Sequence, residues 1–364
     1  MPVELVSAEE AMALMMHNDG LSCIIDARSE DEFALDHLPM ALNWPSLTNE
    51  ERIKVGTLYK QVGAFEANKL GASLVAANIA QHIENHVMDL PKTWRPLIYC
   101  WRGGKRSGSL ALVLGQIGFK VNVIEGGYKA FRAAVVQQTS QLALSLQFKV
   151  VTGPTGSGKT RLLHALAAQG AQVLDLEALA VHRSSVLGRI PGQSQPSQKQ
   201  FDMRVWDTLR QFDPSQVVYV EAESKKVGNV SVPETVMETM RASQCIDLIL
   251  PLEERVELLM EDYAFFAQDP EQFCNRLTTL IEARGKVVIE QWQLLVRSGH
   301  IRQVVQELLS QHYDPTYARS VERNFRCWPD ALKVELKDHH AASLQALAKQ
   351  LIAQTNQIPA RASA

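Results

Sequence analysis

The chain has 364 residues, enough for two ordinary domains. Lys and Arg number 37 against 40 Asp and Glu, a net charge of −3. That total excludes a uniformly basic binder and, taken alone, argues against a nucleic-acid partner. At 46 % hydrophobic and 21 % charged residues, the composition is that of a folded protein rather than a disordered one.

The first half alternates short apolar runs with helical patterns. Cys23–Asp26, Leu97–Cys100 and Val121–Ile124 read as buried strands, and Ser109–Gly118 as a helix stopped by its glycine. Strand–helix–strand repetition predicts a parallel sheet. Residues 137–147 read as a helical connector, with a domain boundary near 140–147. Beyond it, Phe148–Thr152 predicts a strand followed by a loop and a helix to Gln169. Further strands are expected at 173–176, 217–221 and 246–250. Residues 184–200, rich in Ser, Gln, Pro and Gly, read as a mobile loop. From Glu253 the pattern is helical almost to the end, and 357–364 reads as a frayed tail. The five scattered cysteines (Cys23, Cys100, Cys245, Cys274 and Cys327) suit a reducing compartment. The start shows no signal-peptide pattern, and no apolar run reaches the roughly 20 residues that cross a bilayer. A cytoplasmic protein away from membranes is expected.

Charge is more informative locally. Residues 100–132 carry six basic side chains against Glu125 alone, and 183–210 carry five against two. Residues 253–271 hold seven acidic side chains and one arginine.

Cys100-Trp-Arg-Gly-Gly-Lys-Arg106-Ser107 lies between a predicted strand and a predicted helix. There, loop N–H groups and the helix N-terminus both favour a thiolate and bind an oxyanion. Arg102, Lys105 and Arg106 add cationic donors. Such a thiolate can carry sulfur or selenium, or attack a phosphoryl group. Trp101 stands ready to stack a base or to cover the cysteine. The surrounding residues resemble a rhodanese domain over about 10–137. The match rests on Ile25-Asp-Ala-Arg28, Glu32-Phe33, His37–Pro45, Tyr99-Cys100, Arg106-Ser107 and Val123–Tyr128. The resemblance assigns the chalcogen-carrying position to Cys100. The Cys-x5-Arg spacing also resembles a dual-specificity phosphatase loop, which leaves that chemistry open.

Gly153-Pro-Thr155-Gly156-Ser157-Gly158-Lys159-Thr160 fits G-x-x-x-x-G-K-S/T, with the required strand before it and helix after it. Its N–H groups cradle phosphates, Lys159 neutralises the terminal charge, and the Thr160 hydroxyl is placed to hold Mg²⁺. Any diphosphate-bearing ligand suits it. Glu221 and Glu223, or Asp175 and Glu177, are candidates for the acidic partner of Mg²⁺. His182, Arg183 and Lys225 are candidates for contact with a phosphate or an RNA backbone. No Cys/His cluster has zinc spacing.

The order of these parts resembles the tRNA 2-selenouridine synthase family across nearly the whole chain. The remaining stretches behind this are Val55–Gly63 with Lys69-Leu-Gly71, Asp175–Ser185 leading to Gly188-Arg189, Glu221–Gly228, and Tyr313-Asp-Pro-Thr-Tyr317. The resemblance implies an α/β chain of a rhodanese-like parallel-sheet domain at 10–137 and a P-loop NTPase-like α/β domain with a helical C-terminal part at 145–356. It implies action on the wobble 2-thiouridine, in the anticodon loop of tRNAs for Lys, Glu and Gln. Geranyl diphosphate would alkylate the sulfur, and selenophosphate would then supply selenium as geranylthiol departs. On this view an enzyme that makes selenophosphate is a partner. Cys100 carries selenium with Arg102 and Arg106 around it, and the 153–160 loop holds the diphosphate. Gly71 permits close approach of substrate, and an apolar pocket lies near the loop. The alternatives are a sulfurtransferase fused to an ATP-dependent kinase-like module that ignores tRNA, and a nucleotide-gated binding protein without activity.

Overall fold

The computed structural model describes residues 3–17, 20–183, 192–264 and 269–356. It divides into two compact units, Met1–Gln138 with Pro196–Asp207, and Thr139–Gln195 with Thr208–Ala364.

The first unit holds strands β1 (Val3–Val6), β2 (Cys23–Asp26), β3 (Ala41–Asn43), β4 (Pro96–Tyr99) and β5 (Val121–Ile124). They form one parallel sheet in the order β1-β5-β4-β2-β3. β4 and β5 are buried along their whole length, which is why they read as unbroken apolar runs. Their side chains join Ile25, Leu110, Leu114 and Phe119 in the core. The helix after β4 runs Lys105–Ile117 and stops at Gly118, as the sequence predicts.

A buried ion pair ties the C-terminal ends of the strands together. Arg28 grips the Asp26 carboxylate through Nε and Nη2 at 3.0 and 2.6 Å, and Nη2 also donates to the Asp36 carbonyl at 2.6 Å. Its guanidinium lies 4.1 Å from the centre of the Tyr128 ring, and the Tyr128 hydroxyl donates to Asp36. Removing one partner leaves an uncompensated charge in a dry core. Arg28→Ala should therefore cost about 3–5 kcal/mol in urea unfolding of this unit, and a loss below ~1 kcal/mol would show the pair to be dispensable.

Between β3 and β4 stands a helical hairpin, Asn49–Gln61 and Ala64–His86. Thr48 opens it with a reciprocal cap, its hydroxyl accepting from the Glu51 N–H while the Glu51 carboxylate accepts from the Thr48 N–H at 2.9 Å. Helix Gly127–Ser145 follows β5, and its second half is the segment read as a connector.

Residues 184–191, the first part of the expected mobile loop, lie outside the described residues, as does the expected tail at 357–364. Residues 192–197 are free of helix and strand, as expected, but the last three residues of the expected loop differ, because Gln198–Leu209 is a helix. Up to Asp207 it belongs to the first unit rather than to the 145–356 span. Trp206 meets Phe131 edge-on at 5.5 Å, Arg132 pairs with Asp202, and the Ser197 hydroxyl donates to the Leu35 carbonyl at 2.6 Å. The stripe Phe201, Val205, Trp206 and Leu209 has helical spacing, but the Ser/Gln/Pro-rich run before it hides the start.

The second unit holds β6 (Gln147–Thr152), β7 (Gln172–Leu174), β8 (Val217–Glu221), the short antiparallel pair β9 (Lys226–Val227) and β10 (Val230–Ser231), β11 (Gln244–Ile249) and β12 (Cys327–Glu335). Its parallel sheet runs β12-β11-β6-β8-β7. β12 corrects the expectation of helix from 253 onward. It is an edge strand, half exposed and interrupted by Pro329, Asp330 and Lys333, so it lacks the apolar run that marks a central strand. The other described residues of that region are mostly helical, with Phe273, Leu277, Trp292 and Leu308 forming a small core of their own. Among the described residues no helix is long and apolar enough to cross a membrane.

Candidate active sites

Cys100 follows β4, where the chain turns out of the sheet and into helix Lys105–Ile117. The turn is tight against Gly127, where a Cβ would lie 2.2 Å from the Cys100 carbonyl oxygen, so only glycine fits. Its Sγ is buried and accepts from the Gly104 N–H at 3.3 Å and the Ser107 hydroxyl at 3.1 Å. Burial alone would raise the thiol pKa. The Ser107 hydroxyl and the N–H groups of Ser107, Gly104 and Arg102 outweigh it and lower the pKa below the ordinary thiol value. Ser107 is the residue whose role the sequence reading left unassigned. Ser107→Ala should move the pH midpoint of Cys100 alkylation by iodoacetamide upward. An unmoved midpoint would show that the backbone donors suffice.

The two arginines expected around the donor anion are placed differently. Arg102 is exposed. Arg106 pairs with Glu32, Nη1 to Oε2 at 2.6 Å. Burial would raise the Glu32 carboxyl, but Arg106 and the Ser29 N–H hold it below the usual carboxylate range. Arg106 therefore braces the loop against helix Glu30–Leu35 as the structure stands. Trp101 stacks on Tyr128 at 5.4 Å, and Lys199 lies 5.6 Å from the Trp101 ring.

In the second unit β6 ends in the 153–160 loop and helix Lys159–Ala167. A Cβ on Gly153 would meet Ser157 Oγ at 2.5 Å and the Leu248 carbonyl at 2.6 Å, so this turn too admits only glycine. Lys159 Nζ donates to the Gly153 carbonyl at 2.8 Å. Thr160 Oγ1 lies 3.2 Å from Glu221 and 3.4 Å from Glu177. Glu177, Glu221 and Glu223 each offer an oxygen, and these three oxygens lie within 4.8 Å of one another. Glu221 is fully buried, and its Oε1 has no hydrogen-bond partner. Burial and the neighbouring Glu177 and Glu223 charges push its carboxyl far above the usual range. Unpaired carboxylate oxygen next to the loop threonine is a donor set that fits Mg²⁺.

A cleft of about 360 Å³ opens beside the loop. Its lining combines the polar side chains of Lys159, Thr160, Glu177, Glu221 and Arg183 with the apolar and aromatic side chains of Leu258, Leu259, Tyr313, Tyr317, Val321 and Phe325. The lone arginine of the acidic segment, Arg255, is buried and anchors this lining. It donates to the Thr155 carbonyl at 2.7 and 2.9 Å and grips Asp314 at 2.6 and 3.0 Å. Its sequence signal was its isolation among seven acids.

Of the remaining candidates, Arg183 reaches the cleft, donating to the Asp262 carbonyl at 2.6 Å with its guanidinium 5.0 Å from the Tyr263 ring. His182 is half-buried next to it. Lys225 is exposed, 3.6 Å from Glu234 and away from the cleft lining. Gly71 lies in helix Ala64–His86, where a Cβ would make ordinary contact with Val55 at 3.5 Å, so its place is the crossing of the hairpin helices.

These features define a rhodanese-like unit with a thiolate loop, joined to a P-loop-type α/β unit with a carboxylate-edged cleft. A rhodanese-like domain model matches residues 7–134, and a model described as the tRNA 2-selenouridine synthase AAA domain matches 146–278. The chain is 30 % identical to the tRNA 2-selenouridine synthase of Shewanella piezotolerans over 375 residues, covering 95 % of this chain and 99 % of that one. Against the Marinobacter nauticus protein of that name it is 32 % identical, covering 81 % and 87 %. The match to the Nitrosomonas europaea protein of that name is 38 % identical over 244 residues and spans 63 % of that protein's length. The chain belongs to the tRNA 2-selenouridine synthase family.

Proposed function

We propose that this chain replaces sulfur by selenium in the wobble 2-thiouridine of tRNAs for Lys, Glu and Gln, in two steps at two sites. The reading is supported most by the second-unit cleft, whose lining brings a diphosphate-type loop together with aromatic and aliphatic side chains. That combination suits geranyl diphosphate better than a nucleotide.

In the first step the thione sulfur attacks C1 of the geranyl group. The C1–O bond breaks with its electron pair going to diphosphate, and the base loses its N3 proton. Loop N–H groups from Thr155, Gly156 and Gly158, with Lys159, stabilise the charge that builds on the leaving oxygen. The Gly153 and Ser157 N–H groups are engaged within the second unit, by the Tyr317 hydroxyl and the Pro154 carbonyl. Mg²⁺, held by Thr160, Glu221, Glu177 and Glu223, would neutralise the diphosphate further. Arg183 also lines the cleft, where it would meet a phosphate of either substrate.

Alkylation turns a poor leaving group into a thiolate that can depart. In the second step the selenium of selenophosphate adds at C2 and geranylthiol leaves with a proton. Water then takes the phosphoryl group as the Se–P bond breaks with its electron pair on selenium, which releases phosphate and leaves 2-selenouridine. We assign Cys100 and the donor set around its thiolate to this second step in the first unit, with selenium kept at the selenide level and no S–Se bond formed. Arg102 is free to meet the selenophosphate anion, and Arg106 can do so only by loosening its bond to Glu32. We assign the rhodanese-like domain to 10–137 and the P-loop domain to 145–356, with the cytoplasm as the compartment where tRNA and an enzyme supplying selenophosphate are met.

The test is incubation of the purified protein with thiolated tRNA and geranyl diphosphate, with and without selenophosphate, and nucleoside mass spectrometry. S-geranyl-2-thiouridine without selenophosphate and 2-selenouridine with it are expected. Unchanged thiouridine in both arms overturns the reading.

A further inference from the structure

The wall beside the phosphate loop carries more chemistry than an apolar lining needs. We propose that Tyr317 is a catalytic residue of the alkylation step, and that its ring face stabilises the positive charge developing on the allylic C1 carbon. This rests on the allylic diphosphate reading above.

Breaking the C1–O bond ahead of sulfur attack sends the electron pair to diphosphate and leaves C1 cationic. The sulfur lone pair then closes the S–C1 bond, and the N3 proton departs to solvent, giving a neutral product. The negative side of this separation has the loop N–H groups and Lys159. The positive side needs electron density without a nucleophile, because a carboxylate or amine within reach would capture the cation. An aromatic face meets that need.

Tyr317 is placed for the task by three independent contacts. Its hydroxyl accepts the Gly153 N–H at 2.6 Å, which pins the ring to the base of the phosphate loop. Its ring centre lies 5.5 Å from Lys159 Nζ, so the face is already presented to a cation at the phosphate loop. Its helix, Asp314–Asn324, is locked to the loop crest by Arg255, which holds both Asp314 and the Thr155 carbonyl. Thr316, Tyr317, Ser320 and Val321 line the cleft from that helix. Burial raises the phenol pKa well beyond its usual value, despite the opposing Gly153 N–H. The ring therefore acts as a neutral face and not as a phenolate base.

The test uses the full-length protein, thiolated tRNA and geranyl diphosphate in single turnover. Tyr317→Leu should slow transfer roughly 10- to 100-fold, the range of a desolvated cation–π contact. Tyr317→Phe, which keeps the ring but loses its bond to the Gly153 N–H, should be slowed less than Tyr317→Leu. Phenylalanines bearing one, two and three fluorines at position 317 should slow the reaction progressively. Affinity for the unreactive thiolodiphosphate analogue of the geranyl substrate should stay constant across the series, which also reports that the variants fold. Equal rates across the fluorinated series, with slow Leu, would overturn the proposal, leaving the ring as a space-filler and the allylic reading intact. Absence of geranyl transfer by the unaltered protein, with the analogue still bound, would overturn the allylic reading itself.

Discussion

Cys100→Ala is expected to remove 2-selenouridine formation by about 10³-fold or more, while S-geranyl-2-thiouridine still forms within about twofold of the unaltered rate. The size follows from what is lost. Sγ is the acceptor on which the Gly104 N–H and the Ser107 hydroxyl converge, and alanine offers them no charge to stabilise. The selectivity follows from the fold. Cys100 lies just after β4 in the first unit, whereas the residues lining the cleft beside the 153–160 loop belong to the second. Geranylated nucleoside should accumulate, read by mass spectrometry on total tRNA nucleosides. Loss of both products together would show that the cysteine is not a dedicated selenium site.

Lys159→Ala carries the second large effect. Geranyl transfer should fall by roughly 10²- to 10³-fold, the range for removing one donor that meets charge built up in the transition state. Lys159 Nζ now donates to the Gly153 carbonyl, and the ring of Tyr317 flanks it. The ammonium is thus stored at the loop at little distance from the diphosphate it would meet. Pre-geranylated tRNA should still be converted to the selenium product at the unaltered rate. If Lys159→Ala leaves geranylation intact and abolishes ATP turnover instead, the loop serves a nucleotide and the diphosphate assignment is wrong.

Both glycine-rich strand–loop–helix turns were legible in the sequence because each is local. A strand, a run of glycines and a helix start fix where N–H groups point, and eight consecutive residues carry the information. Glu221 was legible at the end of an apolar strand for the same reason. The groups that brace these loops were not, because they arrive from far along the chain. Glu32 is 74 positions from the arginine it holds, and Tyr317 lies 164 positions from the N–H it accepts. Arginine beside cysteine reads as an anion ligand, and only the fold shows Arg106 already engaged. The edge strand at 327–335 was hidden by polar composition, since it is defined by what it packs against and not by its own pattern, whereas the helix at 198–209 has a helical stripe whose start is obscured by the Ser/Gln/Pro-rich run before it. The net charge of −3 misled because it averages a basic stretch around Cys100 with an acidic helix, Leu252–Asp262, that is itself partly neutralised. Arg161 pairs with Glu261 and Asp262, and Arg255 is buried beneath it.

The central claim is that selenium enters only through an S-alkylated intermediate. Its most direct test is a time course with thiolated tRNA, geranyl diphosphate and selenophosphate together, quantifying three nucleosides and free geranylthiol. The account predicts that S-geranyl-2-thiouridine rises and then decays as 2-selenouridine appears, with one geranylthiol released for each selenouridine. Selenouridine formed at the same rate when geranyl diphosphate is omitted would contradict it.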